Sequence, residues 1–140
     1  MATLAAESHK PLKFLNITLW SAQVLLGGMF GMAGISKATQ PVAELAQRLP
    51  WAADIPEGLL RFIGVSELAG GVGLLLPALT RLRPGLTPLA AAGLATIMTL
   101  AAIFHATRGE WGGIVVNLVL GGVAAFIAWG RYKKAPIAAR

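Results

Sequence analysis

Four long stretches of almost uninterrupted apolar residues constrain this chain more than anything else in it. They run from about Phe14 to Ser36, Leu59 to Leu79, Leu86 to Phe104 and Trp111 to Trp129. Each is close to the roughly 20 residues a helix needs to cross about 30 Å of hydrocarbon. Buried helices of a soluble bundle keep a polar stripe at helical spacing, and these stretches have almost none. Only 13% of the 140 residues are charged, against 56% hydrophobic. That is about half the charge a soluble domain carries. The expected fold is therefore all-α and integral to the membrane. It is one domain over residues 1–140, with four transmembrane helices in an up-down-up-down bundle. The first stretch follows Lys10 and Lys13 as the core of a signal peptide would, but it is longer than the usual 7–15 residues and reads as a retained helix.

The basic residues orient the bundle. Lys10, Lys13, Arg81, Arg83, Arg131, Lys133, Lys134 and Arg140 fall on the side of the termini, and Lys37, Arg48, Arg61 and Arg108 on the other. Acids Glu44, Asp54, Glu57 and Glu110 nearly balance that second side. The positive-inside rule predicts cytoplasmic termini. The net charge of +6 does not imply nucleic acid, because the basic residues flank apolar segments, as contacts with anionic head groups require. Trp20, Trp51, Trp111 and Trp129 are expected at membrane interfaces, Trp20 least clearly, since it lies a turn or more inside its span. Pro84 and Pro88 flank the start of the third span, with Thr87 as a candidate cap.

The only long connection runs from Ala38 to Gly58. Pro41 and the following Val-Ala-Glu-Leu-Ala-Gln-Arg-Leu predict a short amphipathic helix, and Pro50, Trp51 and Pro56 a turn on the outer surface. A lid over an opening in the bundle is the functional alternative.

Helices in a bilayer associate by close packing, so their interfaces collect small residues. Gly27, Gly31 and Gly34 share a face of the first span, extended by Gln23 and Lys37. Gly64, Glu67 and Gly71 share a face of the second. Ala91, Ala95, Met98, Ala102 and His105 share one of the third, and Gly113, Asn117, Gly121 and Ala125 one of the fourth. The polar members of these stripes thus point into the bundle. Glu67 lies roughly 12 Å inward from Leu59, and Asn117 roughly 9 Å from Trp111. Lys37, Arg61, Glu67, His105 and Asn117 are expected to converge in the outer half, with Gln23 deeper. Each also has a plain structural reading: interhelical hydrogen bonds for Asn117 and Gln23, snorkelling for Lys37 and Arg61, and a helix-dipole contact for His105. A carboxylate at the depth of Glu67 costs on the order of 3 kcal/mol to insert unless paired or protonated. Arg61 sits about 120° around the helix from it, so Lys37 is the better partner.

Several chemistries are excluded or disfavoured. There is no cysteine, hence no disulfide, thiol redox chemistry, iron–sulfur ligation or covalent haem attachment. His9 and His105 cannot both reach a haem within the membrane. One acid and one histidine make a poor metal site, so no metal is expected. No nucleophile–base pair or phosphate loop is evident. A carboxylic acid, an amide and cations in one pocket suit a neutral or anionic lipophilic molecule, with proton transfer available.

The order Ala33-Gly34-Ile-Ser-Lys37, Arg61-Phe-Ile-Gly64-Val-Ser-Glu67, His105 at the end of the third span and Asn117 in the fourth resembles the DoxX-like family. The likeness covers about Leu15 to Tyr132 and places Gly34, Lys37, Arg61, Gly64, Glu67, His105 and Asn117 at its motif positions. It implies a four-helix protein of the bacterial inner membrane. The family's namesake is the small membrane subunit of a thiosulfate:quinone oxidoreductase, and related proteins are accessories in redox maturation. Some redox-active relatives rely on cysteine pairs, which this chain lacks.

Three functions follow as expectations. The first is a quinone-linked or redox-accessory subunit, in which Lys37, Arg61, Asn117 and Gln23 hold a lipophilic head group and Glu67 or His105 relays protons. The chain itself stores no electrons, so quinone is the implied cofactor and a redox protein the implied partner. The second is an intramembrane isomerase or hydrolase using Glu67 as acid or base, with its pKa raised by desolvation. The third is a structural or assembly subunit whose polar core fixes helix register. The expected partners are the bilayer, a lipophilic small molecule, a redox protein and further copies of the chain as a homo-oligomer.

Overall fold

The computed structural model describes residues 2–140, with side chains from Leu12 onward. The His9 and Lys10 side chains, used above for haem ligation and orientation, lie outside the described residues. The described residues form helices α1 (Ala2–Thr39), α2 (Val42–Arg48), α3 (Glu57–Thr80), α4 (Leu86–Thr107) and α5 (Trp111–Trp129). A 3-10 turn covers Pro50–Ala53, and a π-helical turn, Gly130–Lys134, extends α5. No strand occurs among the described residues. Four helices are long and apolar enough to span a membrane, over Leu12–Thr39, Glu57–Thr80, Leu86–Thr107 and Trp111–Lys134.

Local chemistry sets the ends of the helices. Pro56, at φ −58° and ψ 138°, stops the preceding loop, and its carbonyl accepts the first α3 bond from Leu60 N–H. Pro77 cannot donate to the carbonyl one turn earlier, and α3 ends four residues later with Arg81 in the left-handed region. Gly85 precedes α4, with no side-chain cap. Thr87, the residue predicted to cap, instead lies fully buried in the first turn, and its hydroxyl has no partner among the described residues. The helix begins one residue before Thr87, so its side chain points into the bundle.

Packing divides the spans into two pairs, α1 with α3 and α4 with α5, joined chiefly along α3 and α4. The first pair is held by facing glycines. A Cβ on Gly34 would lie 2.6 Å from the Gly64 carbonyl oxygen, and one on Gly64 would lie 2.6 Å from Ala38 N. Gly71 meets Gly27 and Gly31 backbone at 2.8 Å in the same way. Gly31 itself faces open space, so its place on the stripe is occupied without being crowded. On α5 the packed face continues from Gly121 to the buried Ala124, and Ala125 is exposed.

Two separate cores result. Leu19, Leu26, Phe30, Leu74, Ala91, Leu94, Met98, Ala124 and Ile127 fill the middle and the half nearer the termini. Leu45, Ala52 and Leu60 form a small core in the α1–α3 loop. There α2 buries Leu45 and exposes Glu44 and Arg48, the amphipathic pattern read from its sequence. α1 and α5 touch mainly towards the termini, where Gly130 accommodates Leu19. Between the two cores, on the loop side, the bundle is hollow.

Candidate functional site

The hollow is a cavity of about 840 Å³ reached by all four spans. Its wall is mostly apolar, with Met29, Phe30, Phe62, Met98 and Phe104 prominent. The loop supplies its roof through Arg48, Leu49, Pro50, Trp51 and Ile55. Lys37, Ser66, Glu67, His105, Glu110 and Asn117 supply most of the polar surface. This is the usual composition of a small-molecule site: an apolar volume with a few placed polar groups.

The Lys37 ammonium donates to both oxygens of Glu67, at 2.7 and 3.0 Å. The glycine contacts explain the pairing. Gly64, one turn before Glu67, lets the α1 backbone approach until its missing Cβ would sit 2.8 Å from Lys37 Cβ. Gly34, one turn before Lys37, lets α3 approach in return. Glu67 is only 3% exposed and Lys37 12%. The Lys37 ammonium also lies 5.8 Å from the centre of the Trp51 ring. With two of its hydrogens on Glu67, one has no hydrogen-bond partner among the described residues.

His105 lies on the roof side. Its Nδ1 is 2.6 Å from Glu110 Oε2, and its ring packs edge-on against Trp51 and Phe104. Gly113 leaves room for the imidazole, since a Cβ there would overlap it at 2.5 Å. Gly109, at φ +68°, turns the chain so that Glu110 returns beneath His105. Arg108 donates to Glu110 at 2.8 Å and to Asp54 at 2.7 Å, which ties the loop roof to the α4–α5 turn. The hydrogen bond from Arg108, and secondly that with His105, holds the Glu110 carboxyl below the usual carboxylate range. Glu110 and Asp54 in turn raise the Arg108 pKa.

Of the residues expected to converge, Lys37, Glu67, His105 and Asn117 line the cavity. Asn117 donates to the Gly113 carbonyl of its own helix at 2.7 Å, keeping a second amide hydrogen for other partners. Arg61 does not line the cavity. It donates to the carbonyls of Lys37 (2.9 Å) and Gln40 (2.6 Å) and to Glu57 (2.9 Å). It thereby satisfies carbonyls left open at the C-terminus of α1 and anchors the turn that carries Lys37. Gln23 is also elsewhere. It lies 14 residues before Lys37, about 21 Å along the helix, and is fully buried between the Leu74 carbonyl (2.8 Å) and Arg131 Nε (2.6 Å).

Trp51 and Glu110 are cavity residues that the sequence reading did not select. The signal for Glu110 was a short turn, His105-Ala-Thr-Arg-Gly-Glu110, too tight to let the acid escape the histidine. Trp51 read as an interface anchor, yet the roof folds it inward. Trp20 is half-buried, with its ring 5.3 Å from the Arg131 guanidinium. Among the described residues no group of three His, Cys, Asp or Glu side chains could hold a metal ion.

Comparison with known proteins adds one finding. A model of the DoxX-like family matches residues 21–127, about three quarters of the chain, with the second and third spans whole and most of the first and fourth. No match was found among curated proteins or solved structures.

Proposed function

The chain belongs to the DoxX-like family of membrane proteins, and on that premise we propose that it binds a lipophilic molecule of the quinone class in the loop-side cavity. In this reading it is a membrane subunit of a redox system. The observation that carries it is the Lys37–Glu67 pair at an 840 Å³ apolar cavity. A buried ion pair contributes little net stability compared with apolar residues of the same volume. Placed in the wall of a ligand-sized cavity, it points to work on a ligand. The unpaired Lys37 hydrogen and the second Asn117 amide hydrogen would donate to head-group oxygens. Glu67 would hold Lys37 in position, and Trp51 and Phe104 would offer aromatic faces to a flat ring. A quinone supplies the electron and proton acceptor chemistry when bound. The chain, without cysteine, draws its electrons from a separate redox partner. The reading also places the protein in the bacterial inner membrane, with its termini cytoplasmic and the cavity in the outer half.

A second reading, a structural or assembly subunit, is favoured by the same pair seen differently. Lys37 satisfies both Glu67 oxygens, as a purely structural contact would.

One experiment separates the two. The full chain is purified from native membranes in mild detergent, and its retained small molecules are extracted and identified by mass spectrometry. The same is done for the double variant Lys37→Met/Glu67→Met, which leaves no buried charge unpaired. Quinone near one per chain, lost in the double variant, supports the ligand reading. A stoichiometric protein partner without retained quinone supports the structural one and overturns the first.

A further inference from the structure

The face of the bundle opposite the cavity contains a charged group that the proposed function does not use. Arg131, in the π-helical turn, is 3% exposed. Its Nε donates to Gln23, and its Nη1 donates to Asn16 Oδ1 (2.6 Å) and the Ala135 carbonyl (3.0 Å). Its Nη2 is buried and has no hydrogen-bond partner among the described residues. Every contact is neutral. Among the residues whose side chains are described, all acids lie on the loop half, whereas Lys13, Arg81, Arg83, Lys133, Lys134 and Arg140 surround this end. A buried guanidinium with neutral partners and two unused N–H groups lacks its anion.

The surroundings specify which anion fits. Lys13, Asn16, Trp20 and Gln23 follow at spacings of three, four and three, so they share one face of α1, and Arg131 docks on that face. Lys13 and Asn16 are exposed, so the site has an open side flanked by a second cation. Trp129 and Tyr132, 45% and 72% exposed, sit at this level as interface aromatics do. Single π-helical turns are frequent at functional sites. A phosphate is the anion found at this height in a bilayer, and a guanidinium fork matches two of its oxygens.

We infer that Arg131, with Lys13, forms a phosphate-binding site at the terminal face of the bundle, suited to the head group of an anionic phospholipid. The phosphate takes the place of the exposed Asn16 side chain on Nη1, bonds Nη2, and meets Lys13 from the open side. The bound lipid then braces α1 against α5 where these helices already touch, leaving the cavity end free.

The test uses the full chain, purified and delipidated in a neutral detergent. It is titrated with dioleoylphosphatidylglycerol, with the diacylglycerol of the same chains, and with inorganic phosphate. Bound lipid is counted by native mass spectrometry, and Tm is followed in parallel. Phosphatidylglycerol should bind near one per chain and raise Tm, and the diacylglycerol should do neither. Arg131→Lys, which keeps the charge but loses the fork, should weaken phosphatidylglycerol binding about tenfold. Lys13→Gln should weaken it about threefold. A Tm rise with inorganic phosphate equal to that with lipid supports the phosphate site and assigns it a soluble occupant. Equal stabilisation by the diacylglycerol, no response to either phosphate compound, or unchanged affinity in both variants overturns the inference. Should Arg131→Lys not fold, Lys13→Gln decides alone, because Lys13 is exposed and outside the buried clamp, and unchanged affinity there overturns it.

Discussion

Replacing Gly34 with alanine tests whether glycine contacts set the geometry of the site. The added Cβ would lie 2.6 Å from the Gly64 carbonyl oxygen and 2.8 Å from Leu68 Cα. Both are backbone atoms and cannot turn aside. An ordinary contact needs roughly 3.5 Å, so α1 and α3 must separate by close to 1 Å. Overpacking of this kind costs about 1–3 kcal/mol. The same shift carries Lys37, one turn further on, away from Glu67, lengthening a 2.7 Å contact beyond hydrogen-bond range. Gly31→Ala is the matched control: it lies on the same stripe but faces open space. There alanine should be neutral or stabilising by about 0.5–1 kcal/mol, from helix propensity alone. Thermal melts of the two variants in one detergent should therefore differ by about 1–4 kcal/mol in favour of Gly31→Ala. Equal stability would mean that α1 and α3 can part freely, and the account of how the ion pair forms would fail.

Three further outcomes follow from named contacts. Glu67→Gln leaves the Lys37 ammonium buried without a counter-charge and should destabilise the bundle by about 3–5 kcal/mol in detergent melts, with Lys37→Met/Glu67→Met recovering most of the loss. Glu110 has a folded pKa below its ordinary 4.5, so its contribution is complete above that value and is lost as pH falls through the depressed one. Acid-side melts should show this loss in the wild type and not in Glu110→Gln. Reporter fusions at Arg140 and within the loop of residues 38–58 should give opposite readouts, the Arg140 fusion cytoplasmic.

The four spans were legible because a bilayer imposes length and hydrophobicity on each helix independently of its neighbours. The placement of Lys37, Glu67, His105 and Asn117 around one volume was legible too, because small-residue stripes mark interior faces and rise per residue gives depth. What the pattern could not carry was the direction of long side chains. Arg61 shares the level of Lys37, yet open carbonyls at the end of α1 draw its guanidinium away from the cavity. Gln23 sits on the predicted interior face, but its partner is Arg131, 108 residues away, which had read only as a positive-inside marker. Trp51 and Glu110 depend on how two loops fold over the bundle, and loop paths leave little periodic signal.

The cavity's proposed occupant is tested most directly by photolabelling. A photoreactive azido-quinone is added to the full chain in detergent, and the labelled residues are identified by peptide mass spectrometry. Label is expected on cavity-wall residues such as Met98 and Phe104, removed by excess unlabelled quinone and absent from Lys37→Met/Glu67→Met. Label confined to outward-facing residues remote from the cavity, such as Leu25 or Leu82, and indifferent to competition would contradict it.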